Sequence, residues 1–143
     1  MMKKLLVIGG LAASAAAIWY VTQRADESAN ARTPQEGARM VEVAVPADLD
    51  AAALAGKTAF EANCASCHGT DAAGRMGVAP PLVHPVYEPG HHGDMAFVMA
   101  ARQGVRAHHW PFGDMPPVEG VSDADLSAII AYIRMLQREN GIN

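Results

Sequence analysis

The stretch EANCASCHG, residues 61–69, contains both cysteines of the 143-residue chain. Cys64 and Cys67 are three positions apart, and His68 follows the second cysteine directly. On a helix, residues at this spacing lie on one face, so that both sulfurs can reach one partner. The neighbouring imidazole is a common metal ligand. These three side chains are therefore the first candidates for a functional site.

A Cys-x-x-Cys pair occurs in several kinds of site, and most of them do not fit this chain. A structural zinc site needs four ligands, usually from a second paired motif, and no further cysteine exists. A thioredoxin-like redox pair lies on a βαβ pattern, which the sequence lacks, and an iron–sulfur cluster needs more thiolates. A disulfide would close too small a loop to stabilise the fold. Cys-x-x-Cys-His in an exported protein is the attachment signature of c-type haem.

The N-terminus indicates export. Two lysines precede an uncharged stretch over residues 5–21, whose roughly 25 Å of helix is slightly shorter than the ~30 Å bilayer core. Trp19 and Tyr20 are typical of an interfacial aromatic belt, and the lysines favour an N-terminus that stays inside. We predict a membrane anchor over residues 1–23, with a cleaved signal peptide as the alternative. The remainder then lies on the periplasmic side of a bacterial inner membrane, anchored or soluble.

Residues 24–49 mix charges with Ala, Pro and Gly and contain no aromatic side chain, which predicts a flexible tether. MVEVAV, residues 40–45, alternates and is a weak candidate for a short strand. Residues 50–143 then form the haem domain. So small a domain is marginal unless a cofactor fills part of its core. From residue 46 onward, 11 carboxylates stand against six basic side chains, so we expect no nucleic-acid partner.

Three helices are predicted in this domain. The first follows Asp50 and runs into Cys64, and the second begins with Asp94 as its N-cap and stops at Gly104. The third begins with a capping box and has one apolar face before it ends at Gly141. The box consists of Ser122 and Asp125, and the face of Leu126, Ile129, Ile130, Ile133 and Leu136. No useful strand alternation is present, so the domain should be all-α, with long loops that imply a ligand.

A methionine is the expected sixth ligand of a haem iron used for electron transfer. Met76 is too close to His68 in the chain to cross the porphyrin, and predicted helices place the remaining domain methionines, Met95, Met99 and Met135, in the core. Met115 lies in FGDMPPV, where two prolines stiffen the loop and fix the direction of the sulfur. Met115 is therefore the candidate ligand opposite His68.

The combined motifs resemble the class I c-type cytochromes over about residues 50–140. The matching residues are Gly56 with Phe60, the CASCH motif, the PPL stretch from Pro80 to Leu82, the DMPP loop around Met115, and Ile129 with Tyr132. The resemblance implies three to five helices wrapped by loops around one covalently bound haem c. It also implies that Gly56 and Phe60 pack on Ile129 and Tyr132. A glycine within a helix costs roughly 1 kcal/mol relative to alanine, which a close helix crossing explains.

The resemblance further implies roles for individual site residues. His68 and Met115 would ligate the iron, and the Pro80 carbonyl would accept the N–H of the His68 ring. Leu82 belongs to the same haem-pocket motif. Ala79 departs from the family, which usually has glycine there, and this departure concerns the detail of the turn rather than the fold.

The domain also contains five loop histidines: His84, His91, His92, His108 and His109. We interpret them as surface or haem-edge groups bonded to water, backbone or a propionate, because adjacent histidines alone define no coordination geometry. The alternatives are a second metal site, for example for copper, and replacement of Met115 as axial ligand. Arg102, Arg106 and Trp110 are candidate propionate partners, with a solvated or packing role as the alternative for each.

The sequence therefore predicts a periplasmic single-haem electron carrier that cycles between Fe(III) and Fe(II), rather than an enzyme. Its partners would be redox proteins such as an oxidase, a reductase or a dehydrogenase, and the membrane if the N-terminal segment is retained. One alternative is a haem enzyme or sensor with a displaceable sixth ligand. The other is a haem protein that handles copper through its loop histidines.

Overall fold

The computed structural model describes residues 17–24 and 35–143. The chain divides into two compact units, Met1–Pro34 and Gln35–Asn143. In the first unit, residues 17–24 are helical, and most of the predicted anchor over residues 1–23 lies outside the described residues. Within the described ranges, no helix combines the length and the apolar character needed to cross a bilayer.

The second unit contains four α-helices. They are α1 (Ala51–Asn63), α2 (Ala65–His68), α3 (Asp94–Gln103) and α4 (Asp123–Glu139), with short 3-10 turns at Thr70–Ala72 and Pro85–Tyr87. Between residues 35 and 143, β pairing is confined to isolated bridges. The all-α prediction is therefore confirmed.

Helices α1 and α4 cross at the position that the sequence predicts. A Cβ added at Gly56 would lie 2.2 Å from the Ala128 carbonyl oxygen, so only glycine allows this approach. One turn further along, the rings of Phe60 and Tyr132 pack with their centroids 6.0 Å apart. Both aromatic side chains are almost fully buried, and Ile129 lies in the same core.

Helix α4 provides most of the core. The Ser122 hydroxyl accepts a hydrogen bond from the Asp125 amide at 3.0 Å, which confirms the predicted N-cap. The predicted apolar face is buried at every position: Leu126, Ile129, Ile130, Ile133 and Leu136. The helix ends at Glu139, two residues before Gly141.

The start of α3 differs from the prediction. Gly93 is the N-cap, and Asp94 is the first helical residue. The Asp94 carboxylate instead accepts a hydrogen bond from Arg134 Nε at 2.7 Å, so it joins α3 to α4. The predicted core position is wrong for Met95 and Met99, which are 67% and 44% exposed.

The compact unit begins earlier than residue 50. The amide of Gly37 donates to the Met76 carbonyl at 2.7 Å, and that of Val41 donates to the Ala73 carbonyl at 3.1 Å. The segment of residues 35–45, assigned to the tether by composition, is thus attached to the domain and forms no strand. Residues 25–34 of the predicted tether lie outside the described residues.

Candidate haem-binding site

The residues of the Cys-x-x-Cys-His motif and the DMPP loop meet at one cavity. Cys64, Cys67, His68 and Met115 all line this cavity, whose volume is about 450 Å³. The volume lies within the usual range of cofactor pockets, about 300–1,000 Å³. Apolar side chains complete most of its wall, among them Val78, Leu82, Phe97, Val118, Ile129, Ile130 and Ile133.

His68 is fixed at both its backbone and its ring. It ends α2, where its amide donates to the Cys64 carbonyl at 2.9 Å. Its Nδ1 lies 2.9 Å from the Pro80 carbonyl oxygen, as the family resemblance implies. Since a carbonyl only accepts, Nδ1 carries the proton and Nε2 keeps its lone pair for a metal. Burial lowers the pKa of His68, and the hydrogen bond to Pro80 partly opposes this effect. The lowered pKa keeps the ring in its neutral, metal-binding form.

The loop between His68 and Pro80 depends on a glycine that the sequence analysis did not single out. Gly74 has φ +75°, and a Cβ there would lie 2.5 Å from the Pro81 nitrogen. Its amide donates to the His68 carbonyl at 2.7 Å. Gly74 thereby brings the Pro80 carbonyl to the His68 ring. Positive φ outside glycine occurs, in the described ranges, at Asp71 and Ala72, so alanine at position 79 causes no such strain.

The two thiols are free, with Cys64 half-buried and Cys67 exposed. Burial, together with a smaller effect of the neighbouring Cys67, raises the pKa of Cys64 to about 11. The Cys64 thiol is therefore neutral at physiological pH. The backbone of Cys64 lies at the junction of the two helices, at the C-cap position of α1 and the N-cap position of α2.

Met115 is held by backbone pairing to the end of α3. Its amide and carbonyl each form a 2.9 Å hydrogen bond with Val105. Gly104 has φ +75°, and a Cβ there would lie 2.4 Å from the Met115 carbonyl oxygen. The sequence analysis identified Gly104 only as a helix stop. Its further role is to let the DMPP loop lie directly against the helix.

Trp110 also lines the cavity, as does the buried Leu82. The indole Nε1 of Trp110 is buried and makes no hydrogen bond within the described part of the chain. Burial raises the pKa of the nearby Tyr87 hydroxyl, and the Trp110 indole lowers it. No hydrogen bond of normal geometry joins the two groups. A buried donor without an acceptor is costly, so Trp110 fits an acceptor provided by a bound group.

The proposed propionate role of Arg102 is not supported. Its guanidinium donates to the Val121 carbonyl at 2.6 Å and to the Asp123 carboxylate at 2.5 Å. Arg102 thus joins the end of α3 to the start of α4. The Asp123 carboxylate is a charged acceptor and so a stronger partner for the guanidinium than the mostly apolar wall of the cavity. Neither Arg102 nor Arg106 lines the cavity.

The loop histidines fall into different surroundings. His84 caps the Pro85–Tyr87 turn by accepting from the Val86 amide at 3.2 Å, and its ring meets Trp110 edge-on. His92, His108 and His109 line the cavity, whereas His91 and His84 do not. The two histidine doublets lie close together, with the ring centroids of His91 and His109 5.3 Å apart.

The donor set fits a covalently attached haem. Two thiols lie beside an oriented neutral imidazole, a thioether comes from a separate loop, and the surrounding wall is apolar. Haem iron in electron-transfer proteins uses this combination of imidazole and thioether. The unpaired indole N–H of Trp110 would be available to donate to an acidic edge of such a group.

Comparison with known proteins identifies the family. The cytochrome c family model matches residues 53–137, and the chain belongs to this family. A 92-residue stretch is 36% identical to subunit CcoP of the cbb3-type cytochrome c oxidase of Azospirillum brasilense. That match covers 60% of this chain but only 29% of the relative. No solved structure matches the chain. The protein is thus a c-type cytochrome, a haem electron carrier with covalently bound haem c.

Proposed function

We propose that the chain is a single-haem electron carrier whose haem is linked to Cys64 and Cys67 and whose iron is ligated by His68 and Met115. The observation that supports this proposal is the convergence of all four side chains on one cavity. The bound haem supplies a one-electron Fe(III)/Fe(II) couple. With both axial positions filled, electron transfer is favoured over catalysis at the iron.

The protein contributes orientation and exclusion of water. The Pro80 carbonyl fixes the tautomer of His68, and this hydrogen bond raises the basicity of the ligand. The paired backbone of Met115 fixes the position of the thioether. The apolar wall lowers the dielectric constant around the site, which is one of the factors that set the reduction potential.

We place the carrier on the periplasmic side of the inner membrane. The lysines before the apolar stretch of residues 5–21 support this location. Redox proteins are the proposed partners, and the likeness to an oxidase subunit favours an oxidase among them. Protease treatment of spheroplasts tests the location, because a cytoplasmic protein would survive intact.

The visible spectrum of the purified ferric protein tests the ligands. The wild type should be low-spin and show the weak long-wavelength sulfur-to-iron band, and Met115→Ala should lose that band and become high-spin. Met95→Ala is the matched control, since Met95 is 67% exposed and does not line the cavity. A high-spin wild-type spectrum would contradict the proposal and favour an enzyme or sensor with an open sixth position.

A further inference from the structure

The four histidines of the two doublets, separated by 15 residues of chain, form one group of imidazoles. His91 and His92 follow the Pro85–Tyr87 turn, and His108 and His109 follow α3. Ring centroids are 4.5 Å apart for His91 and His92, and 5.3 Å apart for His91 and His109. His109 also lies 5.2 Å from His92. One ring nitrogen of each of these three residues lies within 4.8 Å of the other two.

The closest pair of nitrogens has the separation of metal ligands. Nε2 of His91 lies 3.4 Å from Nε2 of His109, longer than a normal N–H hydrogen bond of about 2.7–3.2 Å. Two imidazole nitrogens bound to one ion at ~2.0–2.1 Å in tetrahedral geometry lie about 3.3–3.4 Å apart. The observed spacing therefore suits a shared ion better than a shared proton.

The third ring is oriented for the same purpose. His92 Nδ1 lies 2.6 Å from the Val86 carbonyl oxygen, so it donates its proton there and leaves Nε2 free as a ligand. Such a backbone partner is the usual support of a metal-binding imidazole. The buried Arg134 in turn holds this loop by donating to the carbonyls of Tyr87 and His92. The ring of His92 is thus positioned by its own hydrogen bond to Val86, and its loop by the hydrogen bonds from Arg134.

We propose that His91, His92 and His109 bind one divalent transition-metal ion of the copper and zinc class at the edge of the haem cavity. Imidazole nitrogens suit copper, zinc and nickel, and affinity along this series is greatest for copper(II). Hard ions such as calcium and magnesium require oxygen ligands, which this group of rings does not provide. His91 and His109 are exposed, so the ion can enter from solvent and keep an open position.

The site adds a second metal to the proposed carrier without depending on its function. His92 and His109 line the haem cavity as well as the histidine group, so the bound ion would lie beside the prosthetic group. His108, whose ring centroid is 4.3 Å from that of His109, directs Nδ1 to the Arg106 carbonyl.

Copper binding to the haem-containing protein tests the site. After treatment with a chelator, the protein is dialysed against copper sulfate and analysed for iron and copper. We expect one copper per haem iron, with nitrogen hyperfine splitting in its electron paramagnetic resonance spectrum. If the imidazoles bond to a haem propionate instead, no copper beyond trace amounts will be retained, and the proposal is overturned.

Variants locate the bound ion. Replacing a residue that only supports a metal ligand lowers the affinity for the metal about 10–100-fold. Replacing a ligand itself, as in His91→Gln or His109→Gln, should therefore weaken copper binding at least about tenfold. His91 is exposed and does not line the haem cavity, so His91→Gln should leave the haem spectrum unchanged. His84→Asn is the control, because asparagine retains the turn cap and His84 lies outside the group. Equal affinity in all variants would refute the assignment.

Discussion

At the residue scale, the position of Met115 depends on the absence of a side chain at Gly104. The helix α3 ends here, and the chain reverses with φ +75° to place Val105 opposite Met115. A Cβ at this position would meet the Met115 carbonyl oxygen at 2.4 Å and the Pro117 nitrogen at 3.2 Å. The ligand loop therefore lies as close to α3 as backbone atoms allow.

We predict that Gly104→Ala displaces the Met115 thioether. The ferric spectrum should lose the long-wavelength sulfur band, and the reduction potential should fall, because a methionine ligand raises it. The control is Gly113→Ala, since Gly113 has φ +91° but nothing within 4 Å of an added Cβ. Both variants impose backbone strain, but only the first adds a clash. If the two variants have identical spectra, the close contact between Gly104 and the Met115 backbone does not position Met115.

The site residues differ in how far the sequence could predict them. Cys64, Cys67 and His68 are adjacent in the chain, so their spacing defines their chemistry before folding. For Arg102 the sequence left two roles open, because its long side chain can reach either the cavity or the start of α4, and in the structure it contacts the start of α4. The two residues that Arg102 contacts, Val121 and Asp123, follow it in the chain by 19 and 21 positions. No pattern in the sequence near Arg102 indicates this contact.

At the element scale, the crossing of α1 and α4 connects the haem motif to the core. Gly56 allows the approach, and the Phe60–Tyr132 contact fills the space on one side of it. The family resemblance predicted this crossing, and Gly56 agrees with it, because a glycine inside a helix is unfavourable by itself and so indicates a close neighbour. The cap of α3 was not predictable in the same way, since Asp94 pairs with Arg134 from another helix.

Replacing Gly56 by alanine should destabilise the protein, although alanine favours the helix by about 1 kcal/mol. The added methyl group would meet a backbone oxygen at 2.2 Å, and overpacking of this kind costs about 1–3 kcal/mol or more. Denaturant unfolding of the haem-containing protein measures the change. Ala55→Gly, at an exposed position of the same helix, should cost only about 1 kcal/mol. A Gly56→Ala variant more stable than wild type would contradict the close crossing.

Tyr132 joins α4 to the turn after the haem motif by donating to the Asp71 carboxylate at 3.1 Å. Burial raises the pKa of Tyr132, and the Asp71 charge raises it further. The unfolded tyrosine ionises near pH 10 while the folded one stays protonated, so this contribution to stability is present below pH 10 and is lost as pH rises above it.

We therefore expect Tyr132→Phe to reduce the alkaline loss of stability. At pH 7 the variant should be less stable by about 1 kcal/mol, because a hydrogen bond is lost. Between pH 9 and 11, its unfolding free energy should fall less steeply than that of the wild type. Urea unfolding at several pH values measures both effects. Parallel pH curves would show that Tyr132 does not carry the perturbed ionisation.

At the scale of the whole molecule, both ends of the second unit are tied together. The Asn140 side chain accepts from the Ala44 amide at 2.9 Å and donates to the Ala44 carbonyl at 2.8 Å. The segment of residues 35–45 thus pairs with the end of α4 as well as with the loop after the haem motif. Composition predicted a tether here because backbone hydrogen bonds leave no signature in residue type.

Asn140→Ala should release this segment without affecting the haem. Removing both hydrogen bonds at an exposed site costs about 1 kcal/mol, which corresponds to roughly fivefold faster exchange of the Ala44 amide. Hydrogen–deuterium exchange should show the increase in peptides covering residues 38–45, while those from α1 stay protected. Asn143→Ala, at the exposed last residue, is the control and should exchange like the wild type. If exchange at residues 38–45 is already complete within seconds in the wild type, the segment is a tether in solution, as its composition suggests, and the domain begins near residue 50.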